Sequence, residues 1–168
     1  MDTLTGPFLL LGSASDCPDV QYVTGFRAHD PVVVLKHGTR CVLVVPELEF
    51  ARAQCECKRG VEVTTIARLG LRAGERRRIA LWCRALLRVH GVKSVTVGSR
   101  FPAGVAAELR RGRVRVRVED RNLFPRRACK TEEEIRFIRR AQRSAVAAMR
   151  RAVQTIAAAR VERSGELS

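Results

Sequence analysis

The sequence predicts an α/β domain: a mixed β-sheet with helices on both faces, followed by one long C-terminal helix. Three observations carry this. Short β-branched runs alternate with helical patterns from residue 7 to residue 120, the rhythm of layered α/β folds. Two of those runs, "PVVVLK" and "RCVLVVP", are separated only by "HGT", so one strand pair is an antiparallel hairpin and the sheet cannot be purely parallel. Residues 131–162 then hold a helical apolar pattern far longer than any before it.

"PFLLLG" (7–12) reads as a buried strand. The polar stretch "SASDCPD" follows, then "PDVQYVTGF" (18–26), which holds the single tyrosine of the chain. Composition alone does not decide whether that stretch fills core or edges a site. The hairpin strands are apolar throughout, as in strands covered on both faces. "ELEFARAQCE" (47–56) suits a helix directly after Pro46, and "VEVTTIA" (61–67) a strand by its alternation. "GERRRIALWCRALLRVHG" (74–91) spaces Ile79, Trp82, Leu86 and Val89 by three and four, with Arg76, Arg77, Arg84 and Arg88 on the outer face. "SVTVG" (94–98) is a short strand, and "PAGVAAELRRG" (102–112) has the proline start and glycine stop of a helix. "RVRVRVED" (113–120) alternates valine with arginine, as an edge strand would.

In the last segment Thr131 and Glu134 form a capping box, and Glu132 to Glu134 complement a helix N-terminus. Ile135, Ile138, Ala141, Ala145, Met149, Ala152 and Ile156 draw one stripe. About 30 residues at 1.5 Å each make a helix of about 45 Å, against roughly 30–35 Å for a domain of this size. The stripe is therefore expected to need a cover from a second chain or a further domain. The domain division expected is 1–125 for the α/β unit and 126–168 for the linker and long helix.

The 168 residues carry a net charge of +15. Residues 1–60 hold six basic and seven acidic residues, a net of −1; the remaining 108 hold 26 and 10, a net of +16. Only four of the 32 basic residues are lysine, a bias that base composition of the coding sequence explains as well as function does. Nothing resembles a membrane span or a signal peptide, so the expected location is cytoplasmic with no membrane partner. The six cysteines form no C-x-x-C pair and read as reduced, mostly buried thiols. His29, His37 and His90 have no metal-ligand spacing, and no nucleophile elbow occurs, so neither a metal site nor a catalytic triad is expected in this chain.

Three stretches in order resemble the creatinase, prolidase and aminopeptidase P family of "pita-bread" metallopeptidases. "PDVQYVTGF" is similar to that family's aspartate–x–x–tyrosine–leucine–x–glycine–phenylalanine stretch, with Val23 in place of leucine. "LVVPELEFARA" is similar to its strand running into an acidic residue and a helix. "RRACKTEEEIRFIRRAQRSA" is similar to the pattern that opens the first catalytic-domain helix. The resemblance spans roughly residues 7–160. It implies the creatinase-type N-terminal domain, with ribonuclease-H-like layering, of an Xaa-Pro aminopeptidase- or dipeptidase-like hydrolase. It further implies that a pair of divalent metals (Mn, Co or Zn), with its Asp, His and Glu ligands, belongs to a catalytic domain beyond Ser168. On that reading this chain holds no cofactor, no metal ligand and no catalytic residue, and is inactive alone. A homodimer, and contact with a catalytic domain of the same or another chain, are the implied partners. Tyr22, Phe26, Arg27 and His29 are the implied substrate-access loop. The alternative reading is a stand-alone pseudo-peptidase module that binds an acidic protein or nucleic acid, the latter ranking lower because stacking aromatics are scarce.

Overall fold

The computed structural model describes residues 6–159. It divides into two compact units, Met1–Pro125 and Arg126–Ser168. Among the described residues the first contains six strands: β1 (Phe8–Gly12), β2 (Val32–His37), β3 (Arg40–Val45), β4 (Val61–Thr65), β5 (Ser94–Gly98) and β6 (Arg115–Glu119). They form one sheet in the order β4-β3-β2-β1-β5-β6. β2 pairs antiparallel with both β1 and β3, and the other neighbours run parallel. The mixed sheet expected from the hairpin is thus observed.

The hairpin register places His37 opposite Arg40, leaving Gly38 and Thr39 as a two-residue turn. Gly38 has φ 56° at the first central position, where a tight hairpin turn needs a left-handed residue.

Strand alternation sorts the core into two layers. Leu9, Val33, Leu35, Val42 and Val44 face one way, and Phe8, Leu10, Val34, Cys41, Leu43 and Val45 the other. The first face is covered by α3 (Ile79–Val89) and α4 (Ala103–Arg111) through Cys83, Leu86, Leu87, Val105 and Leu109. The second is covered by α1 (Pro18–Thr24) and α2 (Phe50–Glu56) through Val20 and Ala53, with Phe26 beside them. Fully burying one such Leu, Val or Phe contributes about 1.5–3 kcal/mol, so both layers are needed to offset chain ordering.

Several elements differ in detail from the sequence expectation. Residues 18–24 are helical, where the sequence pattern left them unassigned. Their apolar set is only Val20, Tyr22 and Val23, too few to show a period, but Pro18 occupies the first turn and Gly25 ends the helix with φ 80°. The expected helix 47–56 begins with a 3₁₀ turn at Glu47–Glu49. The expected strand 61–67 stops at Thr65, and Ile66–Leu69 is another 3₁₀ turn. The expected helix 74–91 is broken: Ala73–Arg77 is 3₁₀ and Arg78 is extended, with φ −105° and ψ 101°, before α3 begins. β6 is an edge strand, as its arginines suggested. Its valine face is not uniformly inside, since Val116 is buried and Val118 is 50% exposed.

The second unit is dominated by α5 (Glu132–Ala158); the expected helix to residue 162 stops short, since Ala159 is extended with φ −67° and ψ 140°, and residues 160–162 lie outside the described residues. The capping box is present: the Glu134 amide donates to the Thr131 hydroxyl at 3.2 Å, and the Thr131 amide donates to the Glu134 carboxylate at 2.7 Å. No residue of α5 is buried, and Phe137, Met149 and Ile156 are 63, 65 and 64% exposed.

None of the six cysteines is in a disulfide. Only Cys41 and Cys83 are fully buried; Cys17 and Cys57 are half-buried, and Cys55 and Cys129 are exposed. The expectation of mostly buried thiols thus fails for Cys55 and Cys129, which lie on outward faces of α2 and of the linker.

Candidate functional site: an anchored loop after the first helix

The loop after α1 is fixed from three sides. Thr24 is buried and donates its hydroxyl to the Val20 carbonyl at 2.6 Å. The same hydroxyl accepts the Phe26 amide at 3.1 Å. This side chain closes the last turn of α1 and sets the direction in which residue 26 leaves. Phe26 then enters the second core layer and is fully buried.

Gly25 is required for a packing reason besides its positive φ. A Cβ there would lie 3.0 Å from Cγ and 3.2 Å from the amide nitrogen of Lys58. That close approach lets the Lys58 amide donate to the Thr24 carbonyl at 2.8 Å. The Lys58 ammonium also donates to the Tyr22 carbonyl and lies 5.2 Å from the Tyr22 ring centroid.

Arg52, on α2, holds the other side. Its guanidinium carbon stands 4.5 Å from the Phe26 ring centroid, and both terminal nitrogens reach the Arg27 carbonyl at 3.4 Å. Glu49 and Glu56 orient it, with Arg52 Nε donating to Glu49 at 3.0 Å. The hydrogen bond to Glu49 raises the guanidinium pKa above its ordinary value. At the far end, the Ala14 amide donates to the Ala28 carbonyl at 2.9 Å, tying the loop to the segment after β1.

The four residues expected to form the loop surface therefore take different positions. Phe26 is an internal anchor, and Tyr22 is half-buried, its ring 5.9 Å from Phe124. Phe124 in turn packs against Phe8 of β1, with ring centroids 5.6 Å apart and the rings tilted by 58°. Arg27 and His29 are exposed, together with Asp30 and Pro31. The structure brings Tyr22 and Phe26 into contact with two residues the sequence reading missed, Lys58 and Arg52. The i, i+3 and i, i+4 carboxylates around Arg52 were the legible signal for it. Nothing local marked Lys58.

Among the described residues no three His, Cys, Asp or Glu side chains are grouped as a metal site requires. No described helix is long and apolar enough to cross a membrane. Burial pushes the Cys83 thiol up to about 12 and the Cys57 thiol to about 11, and it also raises Cys41, so none of these is an activated thiolate.

No family model and no curated protein sequence matches the chain. Solved structures do. The prolidase from Pyrococcus horikoshii OT3 superposes with a TM-score of 0.68 and 25% identity over 95% of this chain and 41% of its own. The X-Pro aminopeptidase from Thermotoga maritima MSB8 superposes with a TM-score of 0.71 and 16% identity, covering 95% and 44%. The prolidase from Pyrococcus furiosus gives 0.61 and 20%, covering 95% and 42%. The chain has the fold of part of these two prolidases and this aminopeptidase. It spans about four tenths of the length of these structures, so their fold is shared over that part alone. The anchored loop is the part of "PDVQYVTGF" and its continuation that reaches solvent.

Proposed function

We propose that this chain is a non-catalytic domain of an Xaa-Pro peptidase-like hydrolase, serving in oligomerisation and in shaping substrate access to a neighbouring active site. The observation that carries the reading is the likeness to two prolidases and an aminopeptidase over 95% of this chain but about four tenths of theirs. The metal pair and its activated water would belong to a catalytic domain, which supplies the hydrolytic step. This domain contributes position. A loop that restricts substrate length must hold its shape against an incoming peptide, and the Phe26, Arg52 and Lys58 contacts provide that rigidity. Arg27 and His29 are the side chains such a peptide would meet. The exposed apolar side chains of α5 supply the second role, because a stripe of that size favours a covered state.

The loop is tested by joining the chain to the metal-bearing domain of a prolidase and comparing cleavage of an Xaa-Pro dipeptide with that of longer Xaa-Pro peptides. Arg27→Ala with His29→Ala is expected to raise the relative rate on the longer peptides severalfold. An unchanged ratio contradicts the access role. The 168-residue chain alone, supplied with Mn, Co or Zn, is expected to leave the dipeptide intact; turnover above the buffer rate contradicts the non-catalytic reading.

A further inference from the structure

A second surface, on the other face of the sheet from the loop, has a chemistry of its own. α3, the turn after it, the turn joining α4 to β6 and the segment at residues 70–75 enclose a groove of about 890 Å³. This is within the range of roughly 300–1,000 Å³ found for ligand clefts. Arg72, Arg84, Arg88, Lys93 and Arg113 line it, with Glu75 as the single carboxylate. All five cations are exposed.

The charge is unbalanced locally. A few arginines elsewhere take carboxylate partners: Arg40 with Glu62, Arg52 with Glu49 and Glu56, Arg78 with Glu108 and Arg121 with Glu119. None of the five groove cations is in an ion pair of that kind with a described residue. Glu75 is itself occupied, because its carboxylate accepts the Arg72 amide at 2.8 Å.

Two backbone features shape the groove around these side chains. Gly112 leaves space for Arg84: a Cβ there would stand 3.3 Å from Arg84 Nε. Arg113, next in sequence, has φ 62° and is the single non-glycine residue with positive φ among the described residues. That conformation costs roughly 1–2 kcal/mol for a residue with a side chain. Glycine would avoid the cost, yet an arginine stands there on the groove wall.

The lining also selects among anionic ligands. Leu71, Leu81, Val92 and Val114 are apolar and partly accessible, and no aromatic residue lines the groove. Bases of single-stranded nucleic acid would find no stacking platform. Guanidinium groups, in contrast, grip carboxylates in bidentate fashion. Arg84 and Arg88 are one helical turn apart, about 6 Å along the axis. Alternate residues of an extended peptide are about 6.6 Å apart and share a face.

We infer that this groove binds an extended acidic polypeptide segment in which carboxylate side chains alternate with aliphatic ones. The carboxylates pair with Arg84, Arg88 and the flanking cations, while the aliphatic side chains enter the apolar floor. This inference does not depend on the peptidase reading, since the groove lies away from the access loop.

The test is fluorescence anisotropy with the whole chain and a labelled pentapeptide of alternating glutamate and leucine. Binding is expected at low ionic strength and is expected to weaken as salt rises. Arg84→Glu with Arg88→Glu should weaken it roughly tenfold or more, as reversal of close charge pairs does. The same number of reversals on α5, Arg136→Glu with Arg140→Glu, should change it less than about twofold. Arg84→Gln with Arg88→Gln serves if the reversed protein does not fold. Arg113→Gly is expected to melt no lower than the parent and to bind the peptide more weakly. Three results overturn the inference: no binding at low salt, equal loss in the α5 control, or tighter binding of a single-stranded oligonucleotide of equal charge that the groove substitutions abolish.

Discussion

Phe26 shows how one side chain turns a sequence motif into a positioned surface. Its ring fills the second core layer while its backbone starts the loop that carries Arg27 and His29. Phe26→Ala is expected to cost about 3–5 kcal/mol in a denaturant titration, the usual range for a buried aromatic truncated to a methyl group. Arg52→Ala should leave the core intact and act locally, because its partners are the ring face and the Arg27 carbonyl. Amide exchange at residues 27–30 is expected to quicken while the global midpoint barely moves; unchanged exchange would show that Arg52 does not hold the loop. Cys83 gives a residue-scale pH dependence. Its thiol is raised from 9.0 to about 12 by burial. The folded state therefore favours the protonated form. The stability this supplies is fully present below pH 9 and is lost as pH rises towards 12. Cys83→Ala is expected to flatten the fall in stability over that window, at the expense of a small cavity. A slope identical to the parent's would assign the alkaline loss to other groups.

At the scale of elements, what could be read in advance followed the strength of the local signal. The hairpin, β5, α4 and the capping box of α5 were legible because turn chemistry, alternation and caps agreed with one another. α1 was not, because seven residues with two valines and a tyrosine carry no period, and its helical state rests on Thr24 and on packing of Val20 against the sheet. The break at Arg78 was also hidden. The helical spacing runs straight through it, but the Trp82 indole donates to the Arg76 carbonyl at 2.7 Å and Arg78 reaches Glu108 at 2.6 Å. The first is an i to i−6 contact that no helical spacing marks, and the second joins residues thirty apart. Of the loop, Tyr22, Phe26, Arg27 and His29 were legible as a stretch but not as anchor and surface, since burial is decided by elements far away in sequence. The capping box makes an element-scale prediction. Thr131→Ala is expected to destabilise α5 by about 1 kcal/mol, seen as reduced helical signal in far-UV circular dichroism on warming. An unaltered melting profile would mean that the helix is held by other contacts.

The whole molecule combines a domain core satisfied on both sheet faces with a helix whose apolar residues are exposed. Ile138, Val146, Met149, Val153 and Ile156 are exposed and recur along α5 at spacings of eight, three, four and three, which puts them on one side of the helix. The proposed oligomerising role gives that surface a partner. The measurement that tests this most directly is the solution mass of the chain by light scattering. The account predicts about twice the 18.7 kDa of one chain, falling to a single chain when Met149→Glu and Ile156→Glu are introduced together. A single-chain mass for the parent protein at every concentration, or a dimer that both substitutions leave intact, would contradict it.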